Sequence, residues 1–136
     1  MTYLLNHTSI VVRFKLKLVL IILLFIPALI EAKPLCPQSV TTIEMNQCLN
    51  VKLEQAVDEL SSNLTLIRLR YANNPTLLDL VEQAQSEWEA YRKKQCQSVF
   101  LMYEGGSLQS LMTVSCAIQL ARERNVLLKD TYLFRK

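Results

Sequence analysis

Apolar residues recur at helical spacing in the part of the chain that follows residue 40. In the first such stretch they follow one another at intervals of three and four residues, which places them on one face of an α-helix. This face comprises Leu49, Leu53, Ala56, Leu60, Leu64, Ile67 and Tyr71. Thr41 and Glu44 form a Thr-x-x-Glu sequence, which is typical of a helix N-terminus. Since Pro75 disfavours helical geometry in the residue before it, the pattern predicts a helix over about 42–72.

A second helix is predicted over about 76–103. Pro75 suits its first turn, where the missing backbone N–H of proline costs nothing. The pair Gly105-Gly106 then ends it. Its inward stripe consists of Leu77, Val81, Gln85, Trp88, Arg92, Cys96 and Val99.

A third helix is predicted over about 107–129. Ser107 is a favourable N-cap residue, because its hydroxyl can accept a hydrogen bond from a free backbone N–H of the first turn. The inward stripe of this helix contains Leu108, Leu111, Cys116, Leu120 and Arg124. No strand-like alternation competes with these patterns. We therefore predict an all-α fold, a small disulfide-stapled bundle of three helices.

The residues before the bundle have the composition of a secretory signal peptide. Three basic residues within 13–17 precede an apolar run of 13 residues, Leu18–Ile30, and Ala32 follows it. A membrane span needs about 20 apolar residues, so we favour cleavage over the alternative of an uncleaved anchor. We predict a signal peptide at 1–32, a single domain at 33–136 and no stable membrane span after cleavage.

Removal of residues 1–32 changes the charge balance. That segment holds three of the 15 Lys and Arg and one of the 12 Asp and Glu, which leaves a formal net charge of +1. This balance gives no basic footprint for nucleic acid. His7, the single histidine, leaves with the signal, and no acid pair is placed around a nucleophile. We therefore predict a protein that is not an enzyme and that uses no cofactor and no metal.

The four cysteines predict two disulfides. An even number is typical of a small exported domain, and their spacing lacks the close pairs of a zinc site. Cys96 precedes Gly105 by nine residues and Cys116 follows Gly106 by ten, so a helical hairpin would place them at one height. We prefer Cys36–Cys48 with Cys96–Cys116. If the first two helices are antiparallel, Cys48–Cys96 with Cys36–Cys116 remains an alternative.

The same hairpin geometry predicts a polar cluster around Trp88. Trp88 lies eight residues before one cysteine and Arg124 eight after the other, so the indole and the guanidinium should meet. Asp58 should reach a similar level on the first helix and pair with the arginines, because buried charges need partners. The expected cluster consists of Asp58, Gln85, Arg92 and Arg124 around Trp88. Two alternatives are that Trp88 is a recognition aromatic and that the arginines bind a carboxylate ligand.

The turn between the second and third helices is the candidate binding tip. It contains Glu104, Gly105, Gly106 and Ser107. This tip could insert into the cleft of another protein. The alternative is that it only reverses the chain and caps the third helix.

Four motifs of this chain resemble the N-terminal domain of the LprI lysozyme-inhibitor family. The resemblance spans about residues 36–128. The motifs are Met45-Asn46-Gln47-Cys48, Gln85-x2-Trp88-x2-Tyr91-Arg92-x3-Cys96, Gly105-Gly106-Ser107 and Cys116-x3-Leu120-x3-Arg124. The resemblance implies an exported, all-helical bacterial protein, periplasmic or secreted, and it makes Asp58 and the other cluster residues part of the family core.

The resemblance also implies a function. The family takes its name from a member reported to inhibit lysozyme, so we expect a binding protein whose partner is a lysozyme-type glycoside hydrolase or another envelope protein. The alternative hypothesis is a non-enzymatic structural or stress-related envelope protein with an unidentified protein partner.

Overall fold

The computed structural model describes residues 34–134, and the predicted signal peptide lies outside these described residues. Three α-helices account for most of this part of the chain, and no β-strand occurs in it. They are α1 (Thr42–Arg70), α2 (Pro75–Met102) and α3 (Gln109–Leu128), and α3 continues as a π-helix over Lys129–Leu133. The predicted all-α class is confirmed. Within residues 34–134, none of the helices has both the length and the hydropathy that crossing a bilayer requires.

The N-termini of α1 and α2 both carry side-chain caps, of which the capping box of α1 was predicted. Thr41 Oγ1 accepts a hydrogen bond from the Glu44 N–H at 3.2 Å, and the Glu44 carboxylate accepts one from the Thr41 N–H at 3.1 Å. The Val40 N–H also donates to this carboxylate, and the two backbone N–H groups lower the pKa of Glu44. At α2, Pro75 occupies the first turn and Asn74 Oδ1 accepts from the Leu77 N–H.

The start of α3 differs from the prediction. Ser107 was expected to cap this helix, but α3 begins at Gln109, and its N-cap residue is Leu108, which makes no side-chain cap. The Gln109 N–H donates to the carbonyl oxygen of Gly106 at 3.1 Å. The reversal of the chain therefore extends two residues beyond the glycine pair before α-helical hydrogen bonding begins, and Ser107 belongs to the turn.

Helix α3 is the central element, since it packs against both α1 and α2. Two buried clusters fill the space between the helices. The first lies near the turn between α1 and α2 and contains Leu60, Leu64, Ile67, Val81 and Leu128. The second lies near the beginning of α1 and contains Cys36, Leu49 and Ile118.

Two buried asparagines join α1 to α3. Asn63 Nδ2 donates a hydrogen bond to Asn125 Oδ1 at 2.9 Å, and Asn125 Nδ2 donates to the carbonyl oxygen of Ala56 at 2.8 Å. Both side chains are almost fully buried. Because buried amides need specific partners, these bonds set the register of α1 against α3.

Candidate functional site

The candidate tip, residues 104–107, is exposed along its whole length. Gly105 has a φ of +74°, in the left-handed region that favours glycine over other residues. At Gly106 an added Cβ would lie 3.3 Å from the carbonyl oxygen of Tyr103. Both glycines therefore contribute to the shape of the tip, one through its backbone conformation and the other through close packing.

Apolar side chains surround this tip. Phe100, Leu101, Met102 and Leu108 are all exposed, and Met102 keeps 70% of its surface accessible. Single exposed apolar residues are ordinary, but four of them within nine positions at one end of a hairpin are typical of a contact surface. These four residues were not predicted as a contact surface from the sequence. The sign in the sequence was an apolar run, Phe100-Leu101-Met102, that lies beside the glycines but does not belong to the inward stripe of the second helix.

Two disulfides stabilise the domain, and no cysteine in residues 34–134 is free. Cys96 and Cys116 bridge α2 and α3 with their Cα atoms 5.7 Å apart. Cys36 and Cys48 join the segment before α1 to its second turn, at 6.1 Å. This is the pairing preferred from the sequence. The alternative, Cys48–Cys96 with Cys36–Cys116, is not formed. Paired cysteines are typical of proteins that function outside the reducing cytosol.

A groove extends from the tip along the hairpin between α2 and α3. Its volume is about 420 Å³, and Met102 and Tyr103 belong to both the tip region and the groove. Farther along, Tyr91 and Gln119 contribute a phenol and an amide to its walls. Glu123 is the only charged residue in its lining. The groove therefore offers mixed apolar and hydrogen-bonding contacts that are continuous with the tip.

The structure brings four of the five predicted cluster residues together. The Arg92 guanidinium carbon lies 5.2 Å from the centroid of the Trp88 ring, and that of Arg124 lies 6.0 Å from it. Arg124 Nε donates to Gln85 Oε1 at 3.2 Å, and Gln85 Nε2 donates to Glu89 Oε1 at 3.1 Å. Gln85 is only 5% exposed. Burial lowers the pKa of the Arg124 guanidinium below its usual value.

Asp58 lies outside this cluster, contrary to the expectation. It is exposed on α1, and no side chain in residues 34–134 is bonded to its carboxylate. The reason is angular: Ala56 and Leu60 are buried, and a residue two positions from each points to the other side of a helix. The carboxylate that approaches the cluster is Glu89, which contacts Gln85. Within the described chain, no group of three or more His, Cys, Asp and Glu could hold a metal ion.

Comparison with known proteins places this arrangement in a family. No solved structure matches the chain. An uncharacterised protein of Rhizobium meliloti (strain 1021) is 26% identical over an alignment of 111 residues, which covers 74% of this chain and 80% of that protein. The profile of the family described as Lysozyme inhibitor LprI matches residues 36–128, from the first cysteine to the last residue of α3. The chain therefore belongs to the LprI family.

Proposed function

We propose that this protein is an exported, non-enzymatic binding protein that inhibits a lysozyme-type glycoside hydrolase in the periplasm or outside the cell. The observation that carries the proposal is the LprI family match over residues 36–128, because the description of that family names lysozyme inhibition. The two disulfides support an extracytoplasmic location.

The tip is the surface that we assign to the enzyme. Lysozyme-type hydrolases hold a pair of carboxyl groups in an open cleft. Ser107 presents an exposed hydroxyl that makes no hydrogen bond within residues 34–134 and can donate one to a carboxylate. Leu101, Met102 and Leu108 supply apolar contact area around it. The Cys96–Cys116 disulfide joins the helices that hold the tip, which lowers the entropy lost on binding.

Short-range contact rather than long-range attraction drives this proposed complex. After signal cleavage the formal net charge is only +1, so the protein has no strong field that would steer it towards a charged enzyme. We therefore expect inhibition to change little with ionic strength, because apolar contacts are not screened by salt.

The test is a titration of the purified mature protein into a lysozyme assay that follows the clearing of bacterial cell walls. We expect the lysis rate to fall and level off as the protein saturates the enzyme. Met102→Ser should weaken this inhibition. Leu69→Ser is the matched control, because Leu69 is 71% exposed on α1, as exposed as Met102 but outside α2 and α3, and this variant should inhibit normally.

Two results would change the proposal. Unchanged lysis at excess protein would overturn it and favour the alternative, a structural or stress-related envelope protein. Equal inhibition by the Met102→Ser variant and the unmodified protein would keep the function but move the contact surface away from the tip.

A further inference from the structure

Two arginines approach the same indole ring without an acidic partner. The distances of Arg92 and Arg124 from the Trp88 centroid place their guanidinium carbons at most about 11 Å apart, the sum of 5.2 and 6.0 Å. Within residues 34–134 no carboxylate oxygen lies within 4.0 Å of either guanidinium. The ion pairs of this part of the chain are Arg68–Glu82 and Lys129–Glu59.

This arrangement leaves both guanidinium groups without a direct ion pair in the described part of the chain. Arg124 is partly buried, and a cation that is withdrawn from water normally has an anion beside it. No acid of residues 34–134 fills this role by direct contact: Glu89 reaches the cluster only through its hydrogen bond from Gln85, and Asp58 faces solvent. The indole ring attracts both cations but carries no net charge.

Arg124 is also held in position before any ligand arrives. Gln85 holds the Nε of Arg124 through its Oε1, and its bond to Glu89 fixes which end of the amide faces the arginine. The terminal nitrogens of Arg124 make no hydrogen bond within residues 34–134, and neither does any guanidinium nitrogen of Arg92. Trp88 packs against the buried cluster at the turn between α1 and α2. The unused N–H donors of Arg124 are therefore held in place, and those of Arg92 lie beside the same indole ring.

We propose that Trp88, Arg92 and Arg124 form a recognition site for the carboxylates of an acidic segment in a partner protein. The planar fork of a guanidinium matches the two oxygens of a carboxylate, and arginine and tryptophan dominate the binding energy of many protein interfaces. Met102 lies fourteen positions after Trp88 on α2, which corresponds to about 21 Å along the helix. This site is therefore separate from the tip and does not depend on lysozyme inhibition.

The chain contains its own probe for this site. Trp88 is the only tryptophan in the sequence, so its fluorescence reports directly on ligands that approach the two arginines. The experiment titrates a blocked tetraglutamate peptide into the purified mature protein, with sodium chloride added to keep the ionic strength constant. We expect a saturable change in fluorescence, and no such change with a blocked tetraglutamine peptide. Saturation by inorganic phosphate but not by tetraglutamate would overturn the assignment to carboxylates.

Variants identify the residues that bind. Arg92→Gln and Arg124→Gln should each weaken tetraglutamate binding by about tenfold or more, because each removes a charge-assisted contact. Lys93→Gln is the matched control, since it removes the same charge from an exposed neighbour on α2 and should leave affinity within about twofold.

The fold of each variant is checked by thermal unfolding followed by circular dichroism. The side chain of Arg92 makes no hydrogen bond within the described chain, so its replacement tests the proposal even if the Arg124 variant unfolds. Equal losses in the Arg92 and Lys93 variants would overturn the site. A linear response to tetraglutamate in the unmodified protein would also overturn it.

Discussion

Asn63 and Asn125 are bonded to each other through their side-chain amides, 62 positions apart in the chain and 2.9 Å apart in the interface of α1 and α3. Asn125 uses its own N–H group on the carbonyl oxygen of Ala56. In residues 34–134 no buried side-chain nitrogen or oxygen lacks a hydrogen-bond partner. The pair therefore makes one alignment of these helices more favourable than any shifted alignment, which would leave both amides unsatisfied.

Asn125→Ala should lower the free energy of unfolding by about 1–3 kcal/mol, because it leaves the amide of Asn63 buried without its partner. Urea denaturation measures this loss. Asn50→Ala is the control, since Asn50 lies exposed on α1 and bonds only to the Asn46 carbonyl oxygen; its effect should stay within about 0.5 kcal/mol. Equal losses in the two variants would show that the buried pair adds no stability.

Replacing Cys96 and Cys116 together by alanine should lower the free energy of unfolding by about 3 kcal/mol. The disulfide closes a loop with a sequence separation of 20, and its loss frees the unfolded chain to sample more conformations. Urea denaturation without reductant tests the value. Hydrogen exchange gives the location: amides of residues 97–115 should exchange faster, whereas those in the middle of α1 should change least. Uniform acceleration throughout α1 would contradict a local role.

Substitutions in the tip test whether Ser107 belongs to the turn, as observed, or caps α3, as expected from the sequence. Ser107→Ala should change stability by less than about 0.5 kcal/mol, because Ser107 does not cap α3. A true N-cap serine would cost about 1 kcal/mol when replaced. Gly105→Ala should cost about 1–2 kcal/mol because of its positive φ, and Gly105→Asn should cost less, since asparagine tolerates this conformation better. A larger loss at Ser107 than at Gly105 would contradict this turn.

The ion pair between Arg68 and Glu82 should make the free energy of unfolding depend slightly on pH. Arg68 donates to the Glu82 carboxylate at 2.6 Å, and this bond lowers the pKa of Glu82 in the folded state. The stabilisation is therefore complete above the unfolded pKa of about 4.3, and it is lost as the pH falls through the lower folded pKa. Since both side chains are nearly half exposed, we expect at most about 1 kcal/mol.

The measurement compares the free energy of unfolding of the unmodified protein and Glu82→Gln. The difference should be present at about pH 7 and absent at about pH 2.5. Glu87→Gln serves as the control, because Glu87 is exposed and has no ion pair in the described chain; it should show no such change. A difference for Glu82→Gln that persists at low pH would show that the ion pair is not its cause.

The helices were predictable because their signals are local. The spacing of apolar residues, the Thr41–Glu44 capping box and Pro75 each act within a few residues of the element that they define. The proximity of Arg124 to Trp88 was also predictable, because the two residues lie equally far from the paired cysteines, and residues at equal distances from a turn face each other in a hairpin.

The incorrect and missing predictions share a physical cause. Distance along the chain gives the position of a residue along the helix axis but not the direction in which its side chain points. Asp58 was placed in the cluster from its position along the axis alone, and its side chain points away from the buried face of α1, to solvent. The asparagine pair was missed because neither residue belongs to the predicted inward stripe of its helix, and its partner can be identified only when the facing helix is known. Ser107 was assigned as a cap because the length of the turn is set by how α2 and α3 meet.

The two disulfides close separate rings, one spanning residues 36–48 and the other residues 96–116. The backbone through α1 and α2 is therefore the only covalent connection between these rings in the described chain. A single cut in the turn at residues 71–74 would give two pieces, each with its own disulfide. Only non-covalent contacts, chiefly the packing of α1 against α3 with its asparagine pair, would hold these pieces together, as in a two-chain protein.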